Sequence, residues 1–276
     1  MSINVQKILS KSEAGQKLVM VAAYDFHQAR LADQAGVDMI LVGDSLGRYF
    51  QGGDSYLPVT VDEVIYHCRA VARGCQQALV VAGMPFGSYH ISPEQAISNA
   101  LRLIKEGGAD AVKLEGGANL APTVKALTQA GLPVMAHIGA MPQRAYLWED
   151  EPVCGTDEES AWELAEAAQA MEDAGAFAIF MERVAREAAA LITEKVDVPT
   201  IGIGCGPDCD GQAMVFHQLL GLDGLEQEPK HVRRFCQGDA LLGQGLREYC
   251  QAVREGSFPE SKHSCPMDEG EAKRLY

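Results

Sequence analysis

Four apolar runs in this chain each finish on a polar residue that can do chemistry. Residues 39–42 lead into Gly43 and Asp44, and residues 111–114, which include Lys113, end on Glu115. Residues 133–136 end on His137, and residues 177–181 end on Glu182. A buried parallel strand reads as a continuous apolar run. A charged or titratable group at its last position is costly unless it is paired or used. In a (β/α)8 barrel the C-terminal ends of the strands form the rim on which active sites are built. The pattern therefore directs Asp44, Lys113, Glu115, His137 and Glu182 into one bowl.

Strand-like and helix-like stretches alternate along the whole chain. The spacing predicts strands at 18–24, 38–43, 78–82, 109–114, 132–136, 177–181 and 198–203. An eighth is only faintly visible, near 222–225. Helices are predicted at 25–35, 60–73, 119–130, 157–174, 185–194, 211–220, 230–236 and 239–254. Another opens at Ser92 and Pro93, with Ser as cap and Pro in the first turn. Thr60 and Glu63 have the spacing of a capping box. Long loops are expected at 46–58 and 138–156. Strand-then-helix repeated seven or eight times implies parallel strands joined by right-handed crossovers, and so many units favour closure into a TIM barrel. No Gly-x-Gly-x-x-Gly follows the first strand, which argues against a dinucleotide-binding sheet. The expected organisation is one barrel domain over residues 1–260 and a polar, frayed tail over 261–276.

With 276 residues, 47% of them hydrophobic, the chain can bury one large core. Its formal charge is −15, from 23 Lys and Arg against 38 Asp and Glu. Such a field disfavours nucleic acid and anionic membranes as partners. A small anionic substrate needs local positive charge to enter. The eight cysteines read as reduced thiols, and the first residues lack the apolar core of a secretory signal. No apolar run reaches spanning length. A cytoplasmic protein is expected. Cys205, Cys209 and His217 lack the C-x-x-C form and second pair of a zinc site.

Each rim residue has a structural and a chemical reading. Asp44 alone could cap a tight turn, but with Glu115 it forms a pair of hard oxygen ligands suited to Mg²⁺. Lys113 lies two residues before Glu115, so both share one strand face. It either neutralises Glu115 or grips a substrate carboxylate. His137 either hydrogen-bonds a substrate or orients its neighbours. A carboxylate partly desolvated at the rim suits a general base, which is the reading of Glu182. Arg183 follows it, but adjacent strand residues point to opposite faces, which disfavours an ion pair between them. The glycine-rich turn at 200–206 is weak support for an anion loop.

Five ordered segments resemble the ketopantoate hydroxymethyltransferase family. They are Gly43-Asp44-Ser45-Leu46-Gly47, the stretch 51–60, Val112-Lys113-Leu114-Glu115-Gly116-Gly117, Ala136-His137-Ile138-Gly139 and Ile201-Gly202-Ile203-Gly204. The match runs from about residue 21 to 258. It implies a barrel of the phosphoenolpyruvate mutase and isocitrate lyase superfamily, Mg²⁺, and 5,10-methylenetetrahydrofolate as donor to a small 2-oxo acid. It implies that Asp44 binds the metal with support from Glu115. Ser45 and Lys113 hold the oxo acid, Asp44 and His137 are also expected among the substrate contacts, and Glu182 is the base. It further implies a homo-oligomer, a decamer in the family.

The chain departs from that pattern at the rim. Gly83 stands where the family has a metal-binding Asp at the end of the third strand. The segment after His137 is acidic where the family is basic, and Cys205 replaces a small aliphatic residue. The missing carboxylate is expected to leave room beside Gly83 for a larger or more acidic acceptor. Two other functions remain open: a superfamily C–C lyase or mutase working without folate, and an inactive ligand-binding paralogue.

Overall fold

The computed structural model describes residues 4–147, 152–224 and 229–275. Eight parallel strands close into a barrel in chain order. They are β1 (Leu18–Ala22), β2 (Met39–Val42), β3 (Leu79–Gly83), β4 (Ala111–Glu115), β5 (Val134–Gly139), β6 (Ala178–Glu182), β7 (Thr200–Ile203) and β8 (Gly211–Val215). Closure is made by β8 pairing with β1 over five residue pairs, Leu18 with Gly211 through Ala22 with Val215. β2, β3, β4 and β5 are buried at every position. That is why they read as unbroken apolar runs rather than alternating ones.

The helices between them start where their caps dictate. Thr60 and Glu63 form the reciprocal capping box that opens the helix Val61–Gly74. Ser92 caps Pro93–Lys105 through the amide of Gln95. Asp157 caps Glu158–Asp173. Each cap satisfies backbone donors that the first turn leaves unpaired.

Three predicted elements are wrong. Residues 211–220 are not one helix: the first five form β8, and only Phe216–Leu220 is helical. The eighth strand therefore begins eleven residues before the segment 222–225, of which Leu225 falls outside the described residues. The gap between β7 and β1 needs a pairing partner on both edges, and that demand overrides the local pattern. Residues 230–236 form a turn and irregular chain instead of a helix. The acidic part of the segment after His137, residues 148–151, also falls outside the described residues.

The bottom of the barrel is fastened by carboxylates. Asp38, Asp110 and Asp210 each immediately precede an even-numbered strand. Each accepts a backbone N–H from the odd-numbered strand beside it: Val19 N to Asp38 at 2.9 Å, Val80 N to Asp110 at 2.9 Å, and Thr200 N to Asp210 at 2.9 Å. These contacts satisfy amides at strand starts that the ladder itself leaves open.

Candidate functional site

At the opposite end, a cavity of about 280 Å³ opens among the strand termini. Its lining includes Asp44, Ser45, Lys113, Glu115, His137 and Glu182. All six residues singled out from the sequence thus face one space. The strands explain how. Glu115 pairs in register with His137, and Glu182 with Gly139, two residues further along β5, so three neighbouring strand ends present side chains at two successive levels of one rim. Gly139 permits this approach: its φ is +94°, and a Cβ there would lie 2.3 Å from the Glu182 carbonyl oxygen. Only glycine tolerates both conditions.

Asp44, Lys113, Glu115 and His137 are all nearly or fully buried. Burial pushes the Asp44 carboxyl above its usual range, with Lys113 and a hydrogen bond from Gln143 pulling the other way. Burial likewise pushes Glu115 up, to about 8, opposed by Lys113 and reinforced by the negative charges of Asp44 and Glu182. Desolvation disfavours the ionised form of each acid, and each makes the other harder to ionise.

Lys113 and His137 act as a unit. The Lys113 ammonium donates to His137 Nδ1 at 2.9 Å, and His137 Nε2 donates to the Ala140 carbonyl at 2.8 Å. Those partners assign the neutral Nε2–H tautomer. Burial, together with the adjacent Lys113 charge, holds the His137 pKa well below its ordinary value. The Glu182 carboxylate stands 3.7 Å from His137 Nε2 and remains partly open to solvent. Of the two readings left open for His137, orienting a neighbour is the one these contacts express.

Ser45 is fixed by Tyr24, whose hydroxyl donates to Ser45 Oγ at 2.8 Å. Tyr24 is completely buried, and its own pKa is raised by burial, so the phenol stays a proton donor.

Gln143 is the functional candidate that sequence reasoning missed. Its side-chain amide donates to Asp44 Oδ2 at 2.7 Å and to the Met84 carbonyl at 2.9 Å. Its Oε1 accepts the Tyr89 hydroxyl at 2.7 Å, and its backbone N–H donates to Glu115 Oε2 at 3.3 Å. One buried residue therefore braces both carboxylates and the chain that follows β3. Only the tetrad Met141-Pro142-Gln143-Arg144 marked it in the sequence, and a loop glutamine has no period to detect.

The room expected beside Gly83 is absent. A Cβ on Gly83 would meet the Gly43 Cα at 2.9 Å. β2 has closed against β3 at that level, and Gln143 bridges the next residue, Met84.

A metal must be judged against this donor set. Among the described residues no cluster of three or more His, Cys, Asp or Glu is arranged to hold an ion. Two desolvated carboxylates that mutually oppose ionisation are nonetheless what Mg²⁺ requires, because it binds through one or two carboxylates and completes its octahedron with substrate and water. The fit is with Asp44 and Glu115. Cys209, by contrast, packs its sulfur against Gly202, and His217 stacks near the rings of Tyr24 and Tyr49.

Comparisons with known proteins agree with the fold and show the family. Residues 2–261 match the family described as ketopantoate hydroxymethyltransferase. The 3-methyl-2-oxobutanoate hydroxymethyltransferase of Clostridium beijerinckii is 47% identical over 264 residues, covering 96% of each chain. That of Heliobacterium modesticaldum is 47% identical over 274 residues, covering 99% of each. Among solved structures, a phosphonopyruvate hydrolase in complex with oxalate and Mg²⁺ superposes with a TM-score of 0.61 at 16% identity, covering 99% of this chain and 97% of that one. A 2,3-dimethylmalate lyase of the PEP mutase/isocitrate lyase superfamily gives 0.55 at 15%, covering 98% and 93%. These two show the shared barrel alone. With a family match across nearly its whole length and relatives near half identity, this chain is a hydroxymethyltransferase of the ketopantoate hydroxymethyltransferase family.

Proposed function

We propose that the protein transfers a hydroxymethyl group from 5,10-methylenetetrahydrofolate to the enolate carbon of a 2-oxo acid: the relatives' 3-methyl-2-oxobutanoate or a close analogue of it. The observation that carries this reading is the convergence of Asp44, Glu115, Lys113 and Glu182 on one cavity. The set contains a metal-binding pair, a cation and a base, and enolate chemistry needs all three.

Asp44 and Glu115 would hold Mg²⁺. When bound, the ion supplies Lewis-acid polarisation of the 2-oxo group. Lys113 binds the substrate carboxylate and balances the charge that develops beside it. His137 accepts from Lys113 and so aims the ammonium into the cavity rather than toward the carboxylates alone. Ser45, pinned by Tyr24, offers its hydroxyl to the same substrate. Glu182 removes the proton from the carbon next to the carbonyl. The enolate carbon then forms a C–C bond to the donor's one-carbon unit; both of that unit's C–N bonds break, water supplies the hydroxyl, and tetrahydrofolate leaves with its nitrogens protonated.

The protein is further proposed to be a cytoplasmic homo-oligomer. Supporting this, the helix Gly238–Arg254 exposes Leu241, Leu242, Leu246 and Tyr249, each more than half accessible. A stripe of that size on one helix is an unusual surface for a lone chain. Among the described residues no helix is long and apolar enough to cross a membrane.

The test separates proton removal from transfer. With Mg²⁺ but no folate, the protein should exchange the C3 hydrogen of a 2-oxo acid for deuterium, followed by NMR. Adding the donor should convert exchange into hydroxymethylated product. Glu182→Gln should slow both by about 10³-fold. Equal exchange in Glu182→Gln and wild type would remove Glu182 as the base.

A further inference from the structure

Release of the one-carbon unit breaks two C–N bonds, and each nitrogen that leaves must take up a proton. Glu182 can return one, the proton it removed from C3. The other needs an acid, and few groups in the cavity can act as one. Asp44 and Glu115 hold the metal, and Lys113 and Ser45 hold the oxo acid. Arg48 and Arg183 also line the cavity. In a regular strand Arg183 would face away from Glu182, but its φ of +50° turns it to the same side. A guanidinium, however, does not give up its proton. His137 Nε2–H is occupied by the Ala140 carbonyl. Tyr49 accepts from Gln218 at 2.9 Å and, like His231, has a further contact of its own.

Tyr56 is the group that remains. It is partly buried and lines the cavity. Its loop is drawn over the rim by Gly47, three residues after Asp44. A Cβ on Gly47 would lie 2.8 Å from Val59 Cγ2 and 3.0 Å from the Ser55 carbonyl oxygen, and the Gly47 carbonyl accepts from Gly53 N at 2.8 Å. Arg48 hydrogen-bonds the Tyr56 hydroxyl. A guanidinium can only donate, so the phenol oxygen accepts and its own proton points elsewhere. Among the described residues none accepts that proton. Burial pushes the Tyr56 pKa up, Tyr49 and Glu182 add to the rise, and Arg48 opposes it. The phenol therefore keeps its proton until a strong base forms beside it, and Arg48 steadies the phenolate left behind. The effect of the Glu182 charge on Tyr56 puts acid and base around the same space.

We propose that Tyr56 is the general acid of the transfer step, protonating a donor nitrogen as its C–N bond breaks. This rests on the enolate and folate reading above. The electron pair of the C–N bond stays on the nitrogen and takes the Tyr56 proton. The phenolate recovers a proton from the water whose oxygen becomes the product's hydroxyl. Glu182 gives the second nitrogen the proton removed from C3. Two protons are thus released, one from C3 and one from water, and two are taken up by nitrogen, with no oxidant or reductant required.

Wild type and Tyr56→Phe would be compared with 3-methyl-2-oxobutanoate and Mg²⁺. Single-turnover transfer at saturating 5,10-methylenetetrahydrofolate should fall about 10²-fold or more in Tyr56→Phe. Deuterium exchange at C3 without folate should stay within about twofold, because no C–N bond breaks in it. The Kd for tetrahydrofolate, read by quenching of the protein's fluorescence, should not change. Placing 3-fluorotyrosine, a stronger acid of nearly the same shape, at position 56 should restore transfer. Equal transfer by Tyr56→Phe and wild type would overturn the role, and so would a 3-fluorotyrosine protein as slow as Tyr56→Phe. Parallel losses of exchange and transfer would overturn it by making Tyr56 a structural residue. A weakened tetrahydrofolate Kd that accounts for the whole loss would overturn it by making Tyr56 a binding contact. A wild type that exchanges C3 but forms no folate-dependent product would overturn the donor and with it this role, while a wild type without exchange would overturn the enolate reading as well.

Discussion

The two ends of the barrel use the same side chains for opposite purposes. At the bottom, Asp38, Asp210 and Glu172 are surrounded by donors. Asp210 receives the amide and the hydroxyl of Thr200, Glu172 receives the amides of Asp197 and Val198, and Asp38 pairs with Lys11 besides Val19. At the top, Asp44 and Glu115 share one lysine and crowd one another, and both have raised proton affinity. Asp110 marks the boundary. It sits at the bottom but has a single backbone donor, and burial pushes its carboxyl up as well. The lesson is that depth alone does not make a carboxylate chemically useful. What matters is whether the fold supplies enough donors to satisfy it. The bottom is satisfied and holds the barrel shut; the top is left wanting a cation.

That contrast can be broken most directly with pH. Glu115 keeps its proton to about pH 8 in the folded chain, against an ordinary value of 4.5. Between those values the folded state binds more protons than the unfolded state, so its stability falls as pH rises. The metal-free protein should lose several degrees of Tm between pH 5 and pH 8 through this group. Glu115→Gln should flatten the slope, and millimolar Mg²⁺ should restore the Tm at pH 8. A slope unchanged in Glu115→Gln would show that the top is as well satisfied as the bottom.

A smaller effect tests the other end. Asp210→Ala removes acceptors from two donors of Thr200 and should cost about 1–3 kcal/mol in denaturant unfolding. Turnover per folded molecule should stay the same, because Asp210 sits at the end of the barrel away from the rim and does not line the cavity. Loss of turnover without loss of stability would contradict the division of labour.

The smallest change sharpens the comparison within the top itself. Gln143→Ala frees one oxygen of Asp44 and unbraces Met84. It should weaken Mn²⁺ binding, followed by electron paramagnetic resonance, by about 10-fold, as loss of a residue that orients a metal ligand commonly does. Unchanged affinity would reduce Gln143 to a loop anchor.

Much of this was readable in the residues. The capping box at Thr60 and the Ser92–Pro93 start were visible because caps are local chemistry. Seven strands were visible because burial, complete in β2 to β5 and nearly so in β1, β6 and β7, writes itself as apolar runs. The rim residues were visible because each breaks such a run at its end. β8 was not, since Gly211-Gln212-Ala213-Met214-Val215 passes into Phe216-His217-Gln218-Leu219-Leu220 without a turn signal, and only pairing with β1 and β7 makes its first half a strand. Gln143 and the turned Arg183 were hidden for a related reason. Alternation predicted that Arg183 would face away from Glu182, and a single backbone angle reversed it.

The family, the alternation of strand and helix, and the identity of the groups at the rim could all be read along the chain, because each is carried by neighbouring residues. Only the folded chain decided that Gly43 abuts Gly83, that Gln143 braces Asp44 from 99 residues away, and that Arg183 turns to the same cavity as Glu182. Those depend on distances between segments remote in sequence, which no local propensity encodes.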